Sequence, residues 1–340
     1  MPRNPNARLG RPTPLFLPVF QPGNPYFSLA ELQADFGVDA IMTNAFLLYR
    51  KRALRLRLPE CGIKEHLGFE GLVVTDSGAF QEFRGRLLLT NRSIIRFQED
   101  IGADVISPLD VVTPPSDNRT TAEGKAQVTL KRVREGLSLV NRAILMGVQQ
   151  GGRFLEVRRQ AAEWLAGAGV SYAALGSLVP FFTRNHDLRF VRRVIMDARR
   201  ILPEDVPMHL YGAGDPLEIP FYAGAGCSVF DSSSFVHYAE NGSYMTPFGA
   251  LPPGTTAAER GWACPCPLCE ARGEPAVRAN TSLLCRHNLW TILEAVRTVR
   301  QALEGDRLGE HLGHLARVHQ QWFPDSMLQR SLCEGGDDGV

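Results

Sequence analysis

Eight short apolar runs, alternating with amphipathic stretches, predict an α/β chain: a (β/α)8 TIM barrel followed by a small cysteine-bearing subdomain. Three observations carry this. The runs are almost unbroken in apolar character, as expected of parallel strands covered on both faces. The stretches between them carry helical periodicity and capping residues. A cluster of thiols follows the eighth run. A doubly wound open sheet is the competing architecture, but no GxGxxG or Walker loop follows any run.

The elements fall in order. PLFLPVF (14–20) is the first strand, and SLAELQADFG is a helix with Ser28 as N-cap and Gly37 as C-cap. AIMTN (40–44) is the second strand. YRKRALRLRL (49–58) then places five cations in the eight residues from Arg50 to Arg57. It reads equally as a phosphate-binding loop on the active-site side and as a solvated helix or hairpin face. LVVTDSG (72–78) is the third strand. SIIRFQEDIGAD is a helix capped by Ser93, with Ile94, Ile95, Phe97 and Ile101 near one face. VISPLD (105–110), ILMGVQQGG (144–152), YAALGSL (172–178), MHLYGAG (208–214) and CSVFDSS (227–233) complete the eight. Helices are expected over 119–141, 153–168 and 186–201, the last with Arg192, Arg193, Arg199 and Arg200 on a solvated face. The catalytic barrel thus occupies 1–243. From 244 the chain becomes rich in proline and glycine, and CPCPLC follows, giving a zinc-binding subdomain over 244–290. Helical patterns at 280–303 and 306–320 place C-terminal helices in 291–330, and 331–340 reads as a frayed tail.

Composition narrows the function classes. With 37 basic and 36 acidic residues, no global field demands a polyanionic partner. Lysine occupies only positions 51, 64, 125 and 131, so nearly all the positive charge is arginine, which suits bidentate phosphate contact. Genomic base composition accounts for the same bias. MPRNPNARLGRPTP lacks the apolar core of a signal peptide, and no apolar run approaches membrane-spanning length. Seven cysteines, partly clustered, argue against a disulfide scaffold. The expectation is a cytoplasmic protein with no membrane partner.

In a (β/α)8 barrel the active site lies at the C-terminal ends of the strands. There the sequence places Asp76, Asp110, Gln149 with Gln150, Ser177, Tyr211 with Gly212, and Asp231. A lone aspartate at a strand end reads first as a helix cap. Three on one rim, with small residues after two of them, read as a site left open to a ligand. Asp76 and Asp231 fit chemistry at an anomeric carbon, one attacking while the other handles protons. Ser77, Gly78 and Ala79 leave space, Phe80 can lie against a flat ligand, and Asp110 and Gln150 offer the acceptor and donor edges that read a purine-like base.

Cys264, Cys266 and Cys269 have C-x-C-x2-C spacing, and His287 follows on a helix. Three thiolates and an imidazole make a closed, structural zinc site, with Cys285 as a rival fourth ligand. His311 and His314 read as solvent-exposed, and Cys61 and Cys227 as ordinary buried thiols.

Taken in order, TDSGAFQ, GVQQGG, LGSLVP, HLYGAGDP, FDSSSF and CPCPLC with its later HN closely resemble the tRNA-guanine transglycosylases, over roughly residues 14 to 290. FDSSSFVHYAENGSYMTPFG resembles the archaeosine-type more than the queuosine-type branch. The resemblance implies a (β/α)8 barrel with structural zinc that exchanges a guanine in a polynucleotide for a 7-deazaguanine. It implies Asp231 as nucleophile at C1′ and Asp76 as general acid and base. Phe80 and Tyr211 would flank the base, with Gly212 beside them. Asp110 and Gln150, with Ser77, would bind its polar edges, and backbone near Ser177 and Leu178 would face the 7-substituent. Cys264, Cys266, Cys269 and His287 would hold Zn2+. The target nucleotide must leave its stack to reach such a pocket.

Two departures shape the expectation further. Queuosine-type enzymes carry a glutamate shortly after the Gly-Leu of the sixth-strand motif, where this chain has Phe182. An ammonium there would lack its carboxylate, so a neutral 7-substituent is expected, most simply the nitrile of 7-cyano-7-deazaguanine (preQ0). Archaeosine-type enzymes usually continue into RNA-binding domains, whereas this sequence stops about 50 residues after His287. The archaeosine-type resemblance makes tRNA the expected polymer, and the short C-terminal region leaves DNA as the alternative under the same chemistry. A non-catalytic partner subunit is disfavoured because both aspartates are present. A retaining glycoside hydrolase would leave the thiol cluster unexplained. A homodimer formed near the zinc subdomain is also expected.

Overall fold

The computed structural model describes residues 9–79, 89–183 and 186–328. Nine short strands build one parallel ring: β1 (Leu15–Pro18), β2 (Ala40–Asn44), β3 (Leu72–Asp76), β4 (Val105–Ile106), β5 (Ile144–Leu145), β6 (Gly147–Gln149), β7 (Ala173–Leu175), β8 (Met208–Leu210) and β9 (Val229–Ser232). They form a four-stranded sheet, β2-β3-β4-β5, and a five-stranded sheet, β1-β9-β8-β7-β6. β5 and β6 are two halves of one stave. Met146 lies between them, its N–H donating to the Ile106 carbonyl on one side while Gly147 donates to Tyr172 on the other. The second seam is a single parallel bridge, Val19 to Met42, backed by a bond from Phe20 N–H to the Met42 carbonyl. Eight staves therefore close into a TIM-barrel-like ring, as the eight apolar runs predict.

Strand periodicity divides the buried residues into two cores. Leu17, Met42, Val74, Val148, Ala174 and Val229 belong to the inner cluster. The alternate residues Ile41, Val73, Ile106, Leu175, Leu210 and Phe230 belong to the cluster shared with the helices. Because side chains alternate at period two, moving two residues along from the inner layer stays inside the barrel. That step takes Met42 to Asn44, Val74 to Asp76, Val148 to Gln150, Ala174 to Gly176, His209 to Tyr211 and Val229 to Asp231. The polar rim is the top layer of the inner core.

The helices follow their caps. α1 (Leu29–Phe36) has a full capping box between Ser28 and Glu31 and ends at left-handed Gly37, as expected. YRKRALRLRL is helical rather than a loop or hairpin, lying across α2 (Ala45–Arg50) and α3 (Arg52–Cys61), which α4 (Ile63–Leu67) follows. α5 (Asn91–Asp100) starts earlier than Ser93 suggests. Thr90 is the N-cap and its hydroxyl accepts the Ser93 N–H at 3.1 Å. α6 (Arg119–Leu137) ends four residues before the expected 141, capped at Ser138. α7 (Leu155–Gly167), α8 (Val179–Thr183), α9 (Leu188–Ile201), α10 (Glu218–Gly224) and α11 (Ser234–Glu240) complete the barrel section.

Beyond it lie the hairpin β10 (Tyr244–Thr246) and β11 (Gly249–Leu251), then α12 (Pro267–Arg272), α13 (Glu274–Arg278), α14 (Thr281–Glu304) and α15 (Leu308–Trp322). α14 packs on β1, α10 and α11, where an eighth barrel helix belongs. Cys61 is half-buried rather than buried, whereas Cys227 is enclosed. His311 is half-buried rather than exposed, and His314 is exposed. The predicted tail 331–340 lies outside the described residues. Among those residues, no helix is long and apolar enough to cross a membrane.

Candidate active site

Asp76 closes β3 at the barrel mouth. Its Oδ2 accepts the Asn44 amide at 2.8 Å, and the Ser77 and Gly78 backbone N–H groups also serve the carboxylate. Burial nevertheless raises its pKa to about 7, helped by the negative charges of Asp110 and Asp231. Gly78 adopts φ 86°, and a β-carbon there would lie 2.3 Å from Phe46 Cβ, so the open turn after Asp76 requires glycine.

Asp231 meets different surroundings. It is buried in β9, and its Oδ1 accepts Nε2 of His209 at 2.9 Å and the Gly212 N–H at 3.0 Å. His209 is fully buried in β8, and its Nδ1 meets the Tyr172 hydroxyl at 3.0 Å.

Asp110 lies four residues beyond β4 in a segment without regular structure, and side chains satisfy its backbone. Gln98 holds both backbone groups of Ser107, at 2.9 and 3.2 Å. Asn91 accepts the Leu109 N–H at 2.9 Å and Thr129 accepts that of Val111 at 2.9 Å. Ser177, at a left-handed φ of 57°, accepts the Thr113 N–H at 2.8 Å. The loop so fixed presents Asp110 Oδ2 to the Gln150 amide at 2.6 Å.

Gly176 makes room for that pair, since a β-carbon there would sit 2.4 Å from Gln150 Nε2. Gln150 Oε1 and Ser77 Oγ are buried without a partner among the described residues. An unmet buried acceptor costs about 1–3 kcal/mol, so both suit a ligand with donors on its edge.

Tyr211 is fixed by its hydroxyl, 3.2 Å from Ser107 Oγ and 2.9 Å from Met146 Sδ. Leu178 is fully buried beside Ser177. Phe182 is buried too, its ring 6.2 Å from that of Tyr222, whose hydroxyl donates to Glu218. Phe80 lies outside the described residues. Arg158, absent from the sequence reading, is 1% exposed and ties the two loops together by donating to the Gly152 and Gly176 carbonyls and to Gln149. His209 was also missed, since a single histidine between Met208 and Leu210 in an apolar run reads as core.

The thiol cluster forms a second centre. Cys264, Cys266 and Cys269 Sγ and His287 Nδ1 all lie within 4.8 Å of one another. Nδ1 stands 3.8, 3.3 and 3.6 Å from the three sulfurs. A tetrahedral zinc with ordinary bond lengths would set that edge at about 3.6 Å, so this donor set can hold the metal. His287 Nε2 meets the Met245 carbonyl at 2.9 Å, which fixes the tautomer with Nδ1 as ligand. Cys285 is buried but lies outside this group, so it is no rival for the fourth position.

The geometry agrees with the comparisons with known proteins. A tRNA-guanine(15) transglycosylase of Methanopyrus kandleri is 36% identical over 316 residues, 90% of this chain and 67% of its own length. Proteins of the same description from Korarchaeum cryptofilum and Methanosarcina mazei are 35% and 33% identical, over 91% and 90% of this chain. The chain spans 53% and 63% of the length of those two relatives. The model of the queuine tRNA-ribosyltransferase family matches residues 7–321, from before the first stave to the last helix. With the two aspartates on one rim and the match running through all eight staves, the chain belongs to the queuine tRNA-ribosyltransferase family.

Proposed function

We propose that this chain is a base-exchange transglycosylase that replaces a guanine in tRNA by a 7-deazaguanine. The observation that carries the proposal is the contrast between its two mouth carboxylates. Asp76 is driven by burial toward holding a proton near neutral pH, while Asp231 is met by two N–H donors on one oxygen. Divergent surroundings of this kind assign one carboxyl to proton transfer and the other to nucleophilic attack.

In the forward half-reaction Asp231 attacks C1′ of the ribose and the bond to guanine N9 breaks. Asp76 gives its proton to the departing base. The incoming base then returns a proton to Asp76, its N9 attacks C1′, and Asp231 is released. No proton is gained or lost overall, and the sugar–phosphate chain is never cut. Gln150, Asp110 and Ser77 would read the base edge, with Tyr211 and Gly212 beside it. Ser177 and Leu178 would face the 7-substituent, and Phe182 favours a neutral one, 7-cyano-7-deazaguanine. The relatives' names point to guanine 15 as the exchanged nucleotide. The Cys3His cluster would hold zinc as a structural ion. A homodimer is proposed as the working unit, and a monomer in light scattering at working concentration would exclude it.

The test is incorporation of labelled 7-cyano-7-deazaguanine into bulk tRNA and, in parallel, into duplex DNA. Label in tRNA alone, mapped to position 15, is the expected result. Label in DNA alone would overturn the choice of polymer. Label in neither, with guanine exchange also absent, would overturn the enzymatic reading in favour of a partner subunit.

A further inference from the structure

We propose that His209 is a positioning residue that fixes which oxygen of Asp231 attacks the sugar. This rests on the reading of Asp231 as nucleophile. A carboxylate has two chemically equivalent oxygens and can rotate, so rapid attack requires that one be held toward the substrate and the other held back. Here Oδ1 accepts two bonds, from His209 Nε2 at 2.9 Å and from the Gly212 N–H at 3.0 Å. Both of its lone pairs are engaged. Oδ2 has no bond among the described residues and is the oxygen left for C1′.

The histidine is held in turn. Tyr172, His209 and Asp231 stand on three adjacent parts of the ring. Ala174 of β7 pairs with His209 of β8, and His209 pairs with Val229 of β9. The Tyr172 hydroxyl meets Nδ1 at 3.0 Å. A neutral ring that donates from Nε2 to Asp231 must accept at Nδ1, so Tyr172 selects the tautomer that Asp231 needs. Burial keeps the phenol protonated and therefore a donor. Tyr172 and His209 are fully buried, so water does not compete for these bonds. The rings also meet edge to face at 5.9 Å, which limits rotation of the imidazole.

The experiment compares wild type with His209→Phe, His209→Gln and Tyr172→Phe, using bulk tRNA and labelled guanine. Steady-state exchange and single-turnover formation of the covalent protein–tRNA adduct are both measured. His209→Phe keeps ring volume but removes the donor. Its kcat and adduct-formation rate should fall about 100-fold, with KM for guanine little changed. Glutamine places an amide nitrogen near Nε2 and should recover kcat to within about tenfold of wild type. Tyr172→Phe should lose less than His209→Phe.

A wild-type kcat in His209→Phe would overturn the proposal. So would equal losses in the Phe and Gln variants with KM rising in step, since that marks a packing role. Nitrogen NMR of the histidine ring in wild type provides a readout independent of activity. A neutral ring protonated at Nε2 is expected, and a proton on Nδ1 instead would overturn the proposal. Asp231→Asn run alongside separates the two readings. Persistence of the adduct in that variant would refute the nucleophile itself. Adduct lost in Asp231→Asn but formed normally in His209→Phe would refute only the role of His209.

Discussion

Asp76 ionises at about 3.8 in an unfolded chain and at about 7 in this fold. Between those values the folded state holds a proton that the unfolded state has released, so its stability falls as pH rises through that window. The penalty is complete above pH 7. Asp76→Asn cannot ionise, and its stability advantage over wild type, followed as melting temperature, should grow from about pH 4 and level off above neutrality, at on the order of 4 kcal/mol. Equal melting temperatures at pH 5 and pH 8 would contradict the raised pKa. The same variant should lose exchange, because an amide cannot deliver the proton. Phe182 offers a second prediction at this scale. Phe182→Glu should shift preference from the nitrile base toward an aminomethyl-deazaguanine, read as the ratio of kcat/KM values. An unchanged ratio would remove Phe182 from the specificity argument. Asp76, Asp110, Gln150 and Asp231 were legible because each follows an apolar run, where a carboxylate or amide has no reason to sit unless something faces it. His209 was not, because its two neighbours in the run are apolar and a single buried histidine reads as core.

Helix α5 shows where local signals mislead. Thr90 and Ser93 are both capping residues, and their hydroxyls lie 2.8 Å apart. Sequence pattern favoured the one nearer the apolar face, but the turn begins where Thr90 adopts an extended backbone and accepts the Ser93 N–H. Thr90→Ala should cost about 1 kcal/mol in urea unfolding and Ser93→Ala clearly less. The reverse order would restore Ser93 as the cap. The strands were found by their apolar runs, yet the runs overstate them. VISPLD yields a two-residue β4, because Pro108 has no N–H for the ladder and Gln98, Asn91 and Thr129 take over the backbone bonds that follow. Those three residues are distant in sequence from Asp110, so no local pattern could have named them.

At the scale of the whole molecule, the thiol cluster ties α12 to α14, which itself packs on β1. Metal removal should therefore be felt beyond the cluster. Chelation is expected to lower the melting temperature by roughly 5 °C and to expose Cys264, Cys266 and Cys269 to a thiol reagent. Protein that carries no metal as purified and melts unchanged after chelation would refute the assignment. The closure of the ring was legible only as a count of eight. Where the ring is weakly joined was not, because a seam depends on which backbone groups meet and not on which side chains are apolar. Asp76 rides on the four-stranded arc and Asp231 on the five-stranded arc, and the arcs meet at Met146 and at the single bridge between Val19 and Met42. Under the proposed mechanism the two carboxylates are the jaws of a caliper whose set screw lies at Val19 and Met42, and the gap for the sugar would be set at a bridge away from both aspartates.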